Sequence, residues 1–281
     1  MKSSIKIYVL VDNSPANDEE LLCEHGLSLY IKSCHAAILC DMGASGAFVK
    51  NAKLLNVELE SIDFAFISHG HSDHIGGLKD FFENYPQKQV YLSEHIANNY
   101  YSSARRGFKR DISPDHKVME IHGDNIIPLS QSRWITPQVA IVHANSTTFS
   151  TPKGNAFLYC KEQTSTTDVL DDFSHEFALA IKVDKGLVII SPCSHLGAAN
   201  VIRSCREFTN VDRVVAFVGG LHLVDSEIVN DEVSLCVKEI QSVAPKITLY
   251  TGHCTGDMAK QALLEELSDV KFFKTGDIIT I

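Results

Sequence analysis

The six residues HGHSDH, His69 to His74, place three imidazoles and one carboxylate in one short stretch of chain. His69 and His71 are two residues apart, so an extended backbone directs both rings to the same side. Asp73 and His74 follow after the chain bends. A metal ion in such a site takes three or four ligands, so four donors in six residues fit two neighbouring ions better than one. The spacing predicts His69 and His71 at the first ion and Asp73 and His74 at the second, whereas a chance run of surface histidines is the alternative.

Other histidines follow the ends of predicted strands. Apolar, β-branched runs repeatedly stop at Gly, Ser, Asp or His and precede an amphipathic stretch, which predicts alternating strands and helices. Strands are predicted at about 36–40, at 187–190 and in the runs before His69, His222 and His253. Helices are predicted in GAFVKNAKLLN, from near Ile75, in AANVIRSCREF, after a Ser226 N-cap and in DMAKQALLEEL. Because strand-end loops at one edge of a sheet converge, these histidines are expected to share a crevice.

The ligands beyond the HGHSDH run stay open between several residues. His195 and His253 are the best candidates because each ends its own predicted strand. Cys193 and His175 are further options. For each of them the alternative is a structural role, as a hydrogen-bonded histidine or a buried thiol. Asp41, at the end of another strand, is expected to accept a hydrogen bond from a ligand imidazole or a backbone amide.

Composition excludes several classes of protein. The chain has 281 residues, of which 44% are hydrophobic, and this is ample for a large core. A net charge of -10 argues against nucleic acid as a partner. The sequence contains no 18-residue apolar run and does not begin like a signal peptide, which predicts a cytoplasmic protein without a membrane segment. The eight cysteines are scattered without a CxxC pair and are expected to be reduced.

The whole chain, residues 1–281, is predicted to form a single domain. The segment from about 85 to 167 differs from the rest because it holds five of the eight prolines, the only tryptophan and a basic run. No linker bounds this segment, so it is interpreted as an elaboration of short strands and loops that can cap the crevice. The basic run, residues 102–110, is either a phosphate-binding patch or a solvated face.

The stretch SHGHSDHIGGL resembles the HxHxDH signature of the metallo-β-lactamase-fold hydrolases, and CDMGAS resembles their first, Asp-bearing motif. The stretches VDNSP, EHGLSLYI, SPCSHLGAANVI, VGGLHL and GHCTG occur in the order of one bacterial and archaeal branch. That branch is related to the archaeal 7,8-dihydropterin-6-methyl-4-(β-D-ribofuranosyl)aminobenzene-5'-phosphate synthase. These matches extend from about Val11 to Gly256. The resemblance implies an α/β fold, a four-layer αββα sandwich with its active site at one edge of two mixed sheets.

The resemblance also implies a set of site residues. His69, His71, Asp73 and His74 would be metal ligands, and His253 would supply the last. The acidic residue that bridges the metals in most of the superfamily is absent from SPCSH, so His195 or Cys193 would substitute for it or the second metal would be weakly held. Residues expected to position the ligands or to contact the substrate are Asp41, Ser45, His25 and Asn13.

The third-motif ligand is also open. His175 lies at about the expected distance before SPCSH, but the branch more often shows an acidic residue nearby, which Glu176 would match. The expected cofactor is therefore one or two divalent ions. Zinc is the first choice, and iron, manganese and magnesium are alternatives because ligand type alone does not decide between them.

The leading functional hypothesis is a metal-dependent hydrolase acting on a small, possibly phosphorylated molecule. A metal-activated hydroxide would attack an ester, a phosphoester or a related bond. Asp73 is the predicted base or water-orienting residue, and His222 is the predicted substrate contact or proton donor.

Two rival hypotheses remain. One is a pterin-pathway transferase that joins a dihydropterin to a ribofuranosylaminobenzene phosphate. In that case Arg105, Arg106, Lys109 and Arg110 would hold phosphate, and Trp134 or a nearby Phe would stack on a ring. The other is a metal- or ligand-binding sensor that has lost turnover. The sequence leaves the substrate, the metal number and the oligomeric state undetermined.

Overall fold

The computed structural model describes residues 4–224 and 229–281, so the predicted N-cap Ser226 lies outside the described residues. Within them the chain forms two compact units. The first unit comprises Ser4–Ser130, Ala156–His175 and Lys274–Ile281, and the second comprises Gln131–Asn155 and Glu176–Phe273. Each unit has a seven-stranded sheet and its own hydrophobic core.

The described strands are β1 (Lys6–Val11), β2 (Ser28–Lys32), β3 (Ala37–Cys40), β4 (Phe64–Phe66), β5 (Val90–Ser93), β6 (Asn99–Ser103), β7 (Arg110–Asp111), β8 (Ile126–Leu129), β9 (Arg133–Trp134), β10 (Val139–His143), β11 (Leu158–Glu162), β12 (Val169–Leu170), β13 (Phe177–Val183), β14 (Gly186–Ile190), β15 (Val214–Val218), β16 (Thr248–Thr251), β17 (Val270–Phe272) and β18 (Ile278–Thr280). The described α-helices are α1 (Ala47–Leu54), α2 (Ser72–Ile75), α3 (Leu78–Asn84), α4 (Glu94–Asn98), α5 (His116–Ile121), α6 (Ala198–Thr209), α7 (Val229–Val243) and α8 (Asp257–Glu266). Short 3-10 helices cover Leu59–Ser61, Gly123–Asn125 and Lys153–Phe157.

The sheet of the first unit has the order β18-β1-β2-β3-β4-β5-β8. Strands β3, β4, β5 and β8 are parallel neighbours, whereas β18, β1 and β2 are antiparallel. Helices α1 and α3 bury Phe48, Phe81 and Phe82 in the core that also contains Leu39 and Ala65 of the sheet. Because the carboxyl ends of parallel strands lie at one edge, the segments after β3 and β4 are neighbours.

The sheet of the second unit has the order β17-β16-β15-β14-β13-β10-β9, in which β14 to β17 are parallel. Val201 and Ile202 of α6 are fully buried in the core of this unit, and burial of a side chain of this size contributes about 1.5–3 kcal/mol. The loops after β14, β15 and β16 carry Cys193, His195, His222 and His253. Three adjacent parallel strands therefore bring these residues to one edge of their sheet.

A third, four-stranded antiparallel sheet with the order β12-β11-β6-β7 belongs to the first unit. The segment 85–167, expected to be an elaboration, contributes strands to all three sheets. Whether it caps a site, and whether residues 1–281 behave as one domain, stay predictions. Among the described residues there is no helix with the length and hydropathy needed to cross a membrane.

One helix prediction needs correction. A single helix was expected from near Ile75, whereas the structure has α2 beginning at Ser72 and α3 beginning at Leu78. Gly76 and Gly77 lie between them and pack on the loop after β3. A Cβ on Gly77 would lie 2.4 Å from the Met42 carbonyl oxygen, so only glycine permits this approach.

Candidate functional site

The HGHSDH run lies in the loop after β4 and in the short helix α2 of the first unit. His69, His71 and His74 are buried, and the ring of His69 lies 4.6 Å from that of His71 and 4.1 Å from that of His74. Asp73 is more accessible, with 19% of its side chain exposed. The three imidazoles and the carboxylate are therefore grouped as the sequence predicts.

Asp41 organises this group from the end of β3. Its Oδ1 accepts a hydrogen bond from the Ser68 amide at 2.7 Å, and its Oδ2 accepts from the Ser68 hydroxyl at 2.7 Å. His74 Nδ1 lies 2.6 Å from the same Oδ2. Because a carboxylate only accepts, His74 carries its proton on Nδ1 and a lone pair on Nε2.

The same reasoning fixes the tautomer of His69. The Ser68 hydroxyl uses its one proton on Asp41, so at 2.9 Å from His69 Nδ1 the hydroxyl oxygen is the acceptor. His69 therefore donates from Nδ1 and has its lone pair on Nε2. This is the state in which a histidine binds a metal while its other nitrogen is held by the protein. Asp41 thus accepts hydrogen bonds from an imidazole and from a backbone amide, and its role in positioning a metal ligand stays a prediction.

His175 and Asp171 lie beside His71 and belong to the histidine cluster of the first unit. His175 Nδ1 accepts from the Gly70 amide at 3.0 Å, and its Nε2 donates to Asp171 Oδ2 at 3.1 Å. Since both ring nitrogens are hydrogen-bonded, this geometry favours His175 as a support of the HGHSDH loop rather than as a ligand.

Asp171 was not expected from the sequence. Its Oδ2 is also 3.7 Å from His71 Nε2. Burial alone would raise the pKa of Asp171, but the charge and hydrogen bond of His175, with the proximity of His71, lower it. Burial, as the largest influence, lowers the pKa of His71 and so favours its neutral, ligand-competent form.

The loop before β2 lies against Asp73. His25 Nε2 is 3.4 Å from Asp73 Oδ2, and the Leu27 amide donates to the Asp73 carbonyl. Asn13 Oδ1 accepts from the amide of Gly26 and so holds this loop. The His25 ring therefore lies beside Asp73 of the HGHSDH run.

Ser45 contacts Glu24, the residue that precedes His25 in the same loop. Its hydroxyl donates to Glu24 Oε2 at 2.6 Å, and Glu24 Oε1 also accepts from the Ser45 amide. The Ser45 hydroxyl is therefore engaged by Glu24.

In the second unit, His195 is held by two residues. The Glu176 carboxylate accepts from the amides of His195 and Leu196, both at 2.8 Å, through its two oxygens. Asn155 donates to the His195 carbonyl, which directs its Oδ1 to His195 Nδ1 at 3.3 Å. His195 thus also carries its proton on Nδ1 and its lone pair on Nε2.

Cys254 connects the remaining candidates of the second unit. Its Sγ accepts from the His222 amide at 3.2 Å and donates to the Cys193 carbonyl at 3.6 Å. The ligand atoms of Cys193, His253 and Cys254 all lie within 4.8 Å of one another, a grouping suited to a metal ion. The ring of His222 lies 4.2 Å from that of His195. Cys254, like Asn155, was missed because neither residue carries a spacing signal.

Backbone conformation marks the same positions. Four of the seven described non-glycine residues with positive φ are Asp41, Ser194, His222 and His253, with φ between 49° and 58°, a region that such residues rarely adopt. Such strain persists only where the surrounding structure enforces it, and it is concentrated at functional sites. Each of these residues lies just beyond the carboxyl end of a parallel strand.

The donors in the first unit fit a divalent metal ion. Neutral imidazoles with Nε2 lone pairs and a nearby carboxylate suit zinc, iron and manganese alike. The hydrogen bonds on the opposite ring nitrogens supply the outer support that metal-binding histidines require.

The comparisons with known proteins agree with this chemistry. A family model described as the metallo-β-lactamase superfamily matches residues 22–144. A crystal structure of a metal-dependent hydrolase of the β-lactamase superfamily is similar with a TM-score of 0.80 and 27% identity, over 98% of each chain. Residues 22–144 therefore match a metallo-β-lactamase superfamily domain, and the similarity to the hydrolase structure extends over almost the whole chain. The expected fold class and family resemblance are therefore confirmed, and the superfamily generally binds divalent metals.

Two further proteins are similar to this chain over almost its whole length. The 7,8-dihydropterin-6-methyl-4-(β-D-ribofuranosyl)-aminobenzene-5'-phosphate synthase of Methanocaldococcus jannaschii is 28% identical, over 98% of this chain and 96% of its own. The Zn²⁺-bound PqqB of Methylobacterium extorquens has a TM-score of 0.56 at 12% identity, covering 98% of this chain and 99% of its own, and shares the fold.

Proposed function

We propose that this metallo-β-lactamase superfamily protein is a metal-dependent hydrolase that cleaves an ester, a phosphoester or a related bond in a small molecule. The observation that carries the proposal is the Asp41 hydrogen-bond network, which leaves the lone pairs of His69 and His74 on Nε2, with His74 Nε2 3.7 Å from Asp73 Oδ2. Divalent ions bound by these residues supply a Lewis acid and lower the pKa of water.

Asp73 is the residue proposed to handle the proton. Its side chain is 19% exposed, whereas the His71 and His74 side chains are at most 5% exposed, so solvent reaches the carboxylate first. Asp73 would orient the attacking water and accept its proton. His25, with Nε2 3.4 Å from Asp73 Oδ2, is proposed to receive that proton and pass it to solvent.

Within the second unit, His195, His253 and His222 are the residues proposed to take part in the chemistry. His195 presents Nε2 because Asn155 holds Nδ1, and it is proposed as a ligand together with His253. His222 is proposed to donate a proton to the leaving group. Cys193 is the alternative ligand, since its sulfur is grouped with His253.

Replacement of Asp73 tests this function. We expect D73N to lower kcat on an ester or phosphodiester substrate by roughly 100-fold or more, because a positioned base contributes at least that much. Elemental analysis of the same preparations separates loss of metal from loss of the base. The control is D124N, which changes an exposed aspartate in a 3-10 helix of the same unit. Full activity in D73N would contradict the proposal.

The pterin-pathway transferase is the second candidate, and it is favoured by the name of the Methanocaldococcus relative, which matches over almost the whole chain. Its proposed ring-stacking residue, Trp134, already packs against Phe208 at 5.7 Å and under Lys182 Nζ at 4.4 Å. Lys109, one of the proposed phosphate ligands, pairs with Asp168.

Assay of both reactions separates these candidates. A joined product from a dihydropterin diphosphate and a ribofuranosylaminobenzene phosphate would establish the transferase. Hydrolysis of ester or phosphoester substrates alone would support the hydrolase. Less than one metal equivalent after reconstitution would instead favour the binding or sensing protein.

A further inference from the structure

One face of the four-stranded sheet carries polar residues that the proposed hydrolase does not use. Strand alternation places Tyr100 and Ser102 of β6 on this face. Their direct partners on the neighbouring strands, Lys161 on β11 and Asp111 on β7, lie on the same face. Tyr101 points the other way, where its ring lies 4.5 Å from that of His175. This polar face is therefore on the opposite side of the sheet from the histidine cluster.

A cavity of about 360 Å³ lies over the polar face. Its lining includes Tyr100, Ser102, Lys109, Asp111, Lys161 and Asp168. Lys109 precedes one edge strand, β7, and Asp168 precedes the other, β12, so their ion pair joins the two edges of the sheet. Cavities of this size accommodate small organic molecules.

Ser102 shows that the cavity has an unused hydrogen-bonding group. The residue is only 6% exposed, and its Oγ has no hydrogen-bond partner within the part of the chain that the structure describes. Leaving a buried hydroxyl unsatisfied costs roughly 1–3 kcal/mol. Most buried polar groups in proteins are satisfied, so the hydroxyl is expected to meet a bound molecule.

Charge on the polar face is divided into two regions. The hydrogen bond and charge of Lys109, together with the charge of Lys161, hold the pKa of Asp168 below its ordinary value. Two lysines thus share one carboxylate, which leaves positive charge on that side. Asp111 supplies negative charge two residues from Lys109, roughly 7 Å along the same edge of the sheet. Its Oδ1 accepts from the Ser113 amide at 2.8 Å.

We propose that the polar face binds a small zwitterion of the amino acid class. Its carboxylate lies between Lys109 and Lys161, its ammonium group lies at Asp111, and one of its polar atoms meets the Ser102 hydroxyl. The half-exposed ring of Tyr100 supports its apolar part. This site is separate from the metal chemistry proposed above, and neither depends on the other.

Calorimetric titration tests the site with each proteinogenic amino acid, and with acetate and methylammonium as probes of a single charge. We expect at least one amino acid to bind saturably and to raise Tm, while neither single-charge probe does so at the same concentration. K161Q and D111N should each weaken that binding about tenfold or more, because each removes a charged hydrogen bond. D111N keeps the Oδ1 that accepts from Ser113.

Two further variants separate binding from folding. S102A should weaken binding while leaving the free protein at least as stable, since it removes an unsatisfied buried hydroxyl. K185Q, at an exposed turn of the second unit, is the matched control and should bind like the wild type. The proposal is overturned if no amino acid binds, if acetate binds as tightly as the best amino acid, or if K161Q and D111N bind normally.

Discussion

At the scale of single residues, the first unit is organised by two buried carboxylates. Asp41 fixes the tautomers of His69 and His74, and Asp171 accepts from His175, which in turn holds the Gly70 amide between two candidate ligands. A carboxylate that fixes the orientation of an imidazole prepares it for metal binding before any metal arrives. Asp41 and Asp171 therefore act through the histidines that they position.

We expect D171N to destabilise the metal-free protein in a way that depends on pH. The native environment lowers the pKa of Asp171, so its stabilisation is complete above the unfolded-state pKa of about 4 and is lost as pH falls below it. Urea unfolding should show a difference from wild type of about 1.5–3 kcal/mol near pH 7 that shrinks below about pH 4.

The adjacent D172N is the control for this measurement. Asp172 is exposed, and Asn in its place keeps the oxygen that accepts from the Ser174 amide. A D171N difference that stays constant from pH 7 to about pH 3, or that equals the difference in D172N, would show that the carboxylate does not act in this way.

Prediction at the residue scale depended on local spacing. The HGHSDH run, Asp41 and His195 stand out because each ends a recognisable strand, and the structure groups the run with Asp41. Asp171 and Asn155 gave no signal because their partners, His175 and His195, are brought to them only by folding. Aspartates and asparagines are common in loops, so their sequence position alone carried no information.

At the scale of elements, strand positions followed directly from the sequence. Leu187–Ile190 was predicted and β14 covers Gly186–Ile190, because four consecutive apolar residues bounded by polar ones are typical of a buried strand. The interruption of the helix near Ile75 was harder to predict. Hydrophobic periodicity continues through Gly76 and Gly77, whereas the close packing that ends α2 there comes from a different part of the chain.

We expect G77A to destabilise the protein by about 1–3 kcal/mol, because its Cβ would lie 2.4 Å and 2.6 Å from the carbonyl oxygens of Met42 and Ser45. Gly77 has φ of -76°, so the cost is steric and not conformational. The control is G123A, where a Cβ would meet nothing within 4 Å and the free energy of unfolding should change little or rise slightly. Equal stabilities of the two variants in urea would refute the packing argument.

At the scale of the whole molecule, the first unit is built from three separate segments of the chain. The last strand, β18, pairs with β1, and Thr275 Oγ1 accepts from the Asp12 amide at 2.9 Å. The sequence predicted strands and helices but not this return, since a three-residue strand has no periodicity to detect. The four-stranded sheet was missed for the same reason, because β7 and β12 have two residues each.

If residues 1–281 unfold as one domain, metal bound by the HGHSDH run stabilises all of it. A metal at about 100 times its Kd adds about 2.7 kcal/mol, so chelation should lower Tm by roughly 5–10 °C, and added zinc, iron or manganese should restore it. Calorimetry should show a single transition both before and after chelation.

H74A is the matched variant for the chelation experiment, since it removes one proposed ligand. Its Tm should be insensitive to the chelator, because metal that does not bind the native state cannot stabilise it. An unchanged wild-type Tm after chelation would contradict metal binding by the native protein. Two transitions, of which only one responds to the chelator, would show that the units unfold separately and that the stabilisation is confined to the unit that holds the metal.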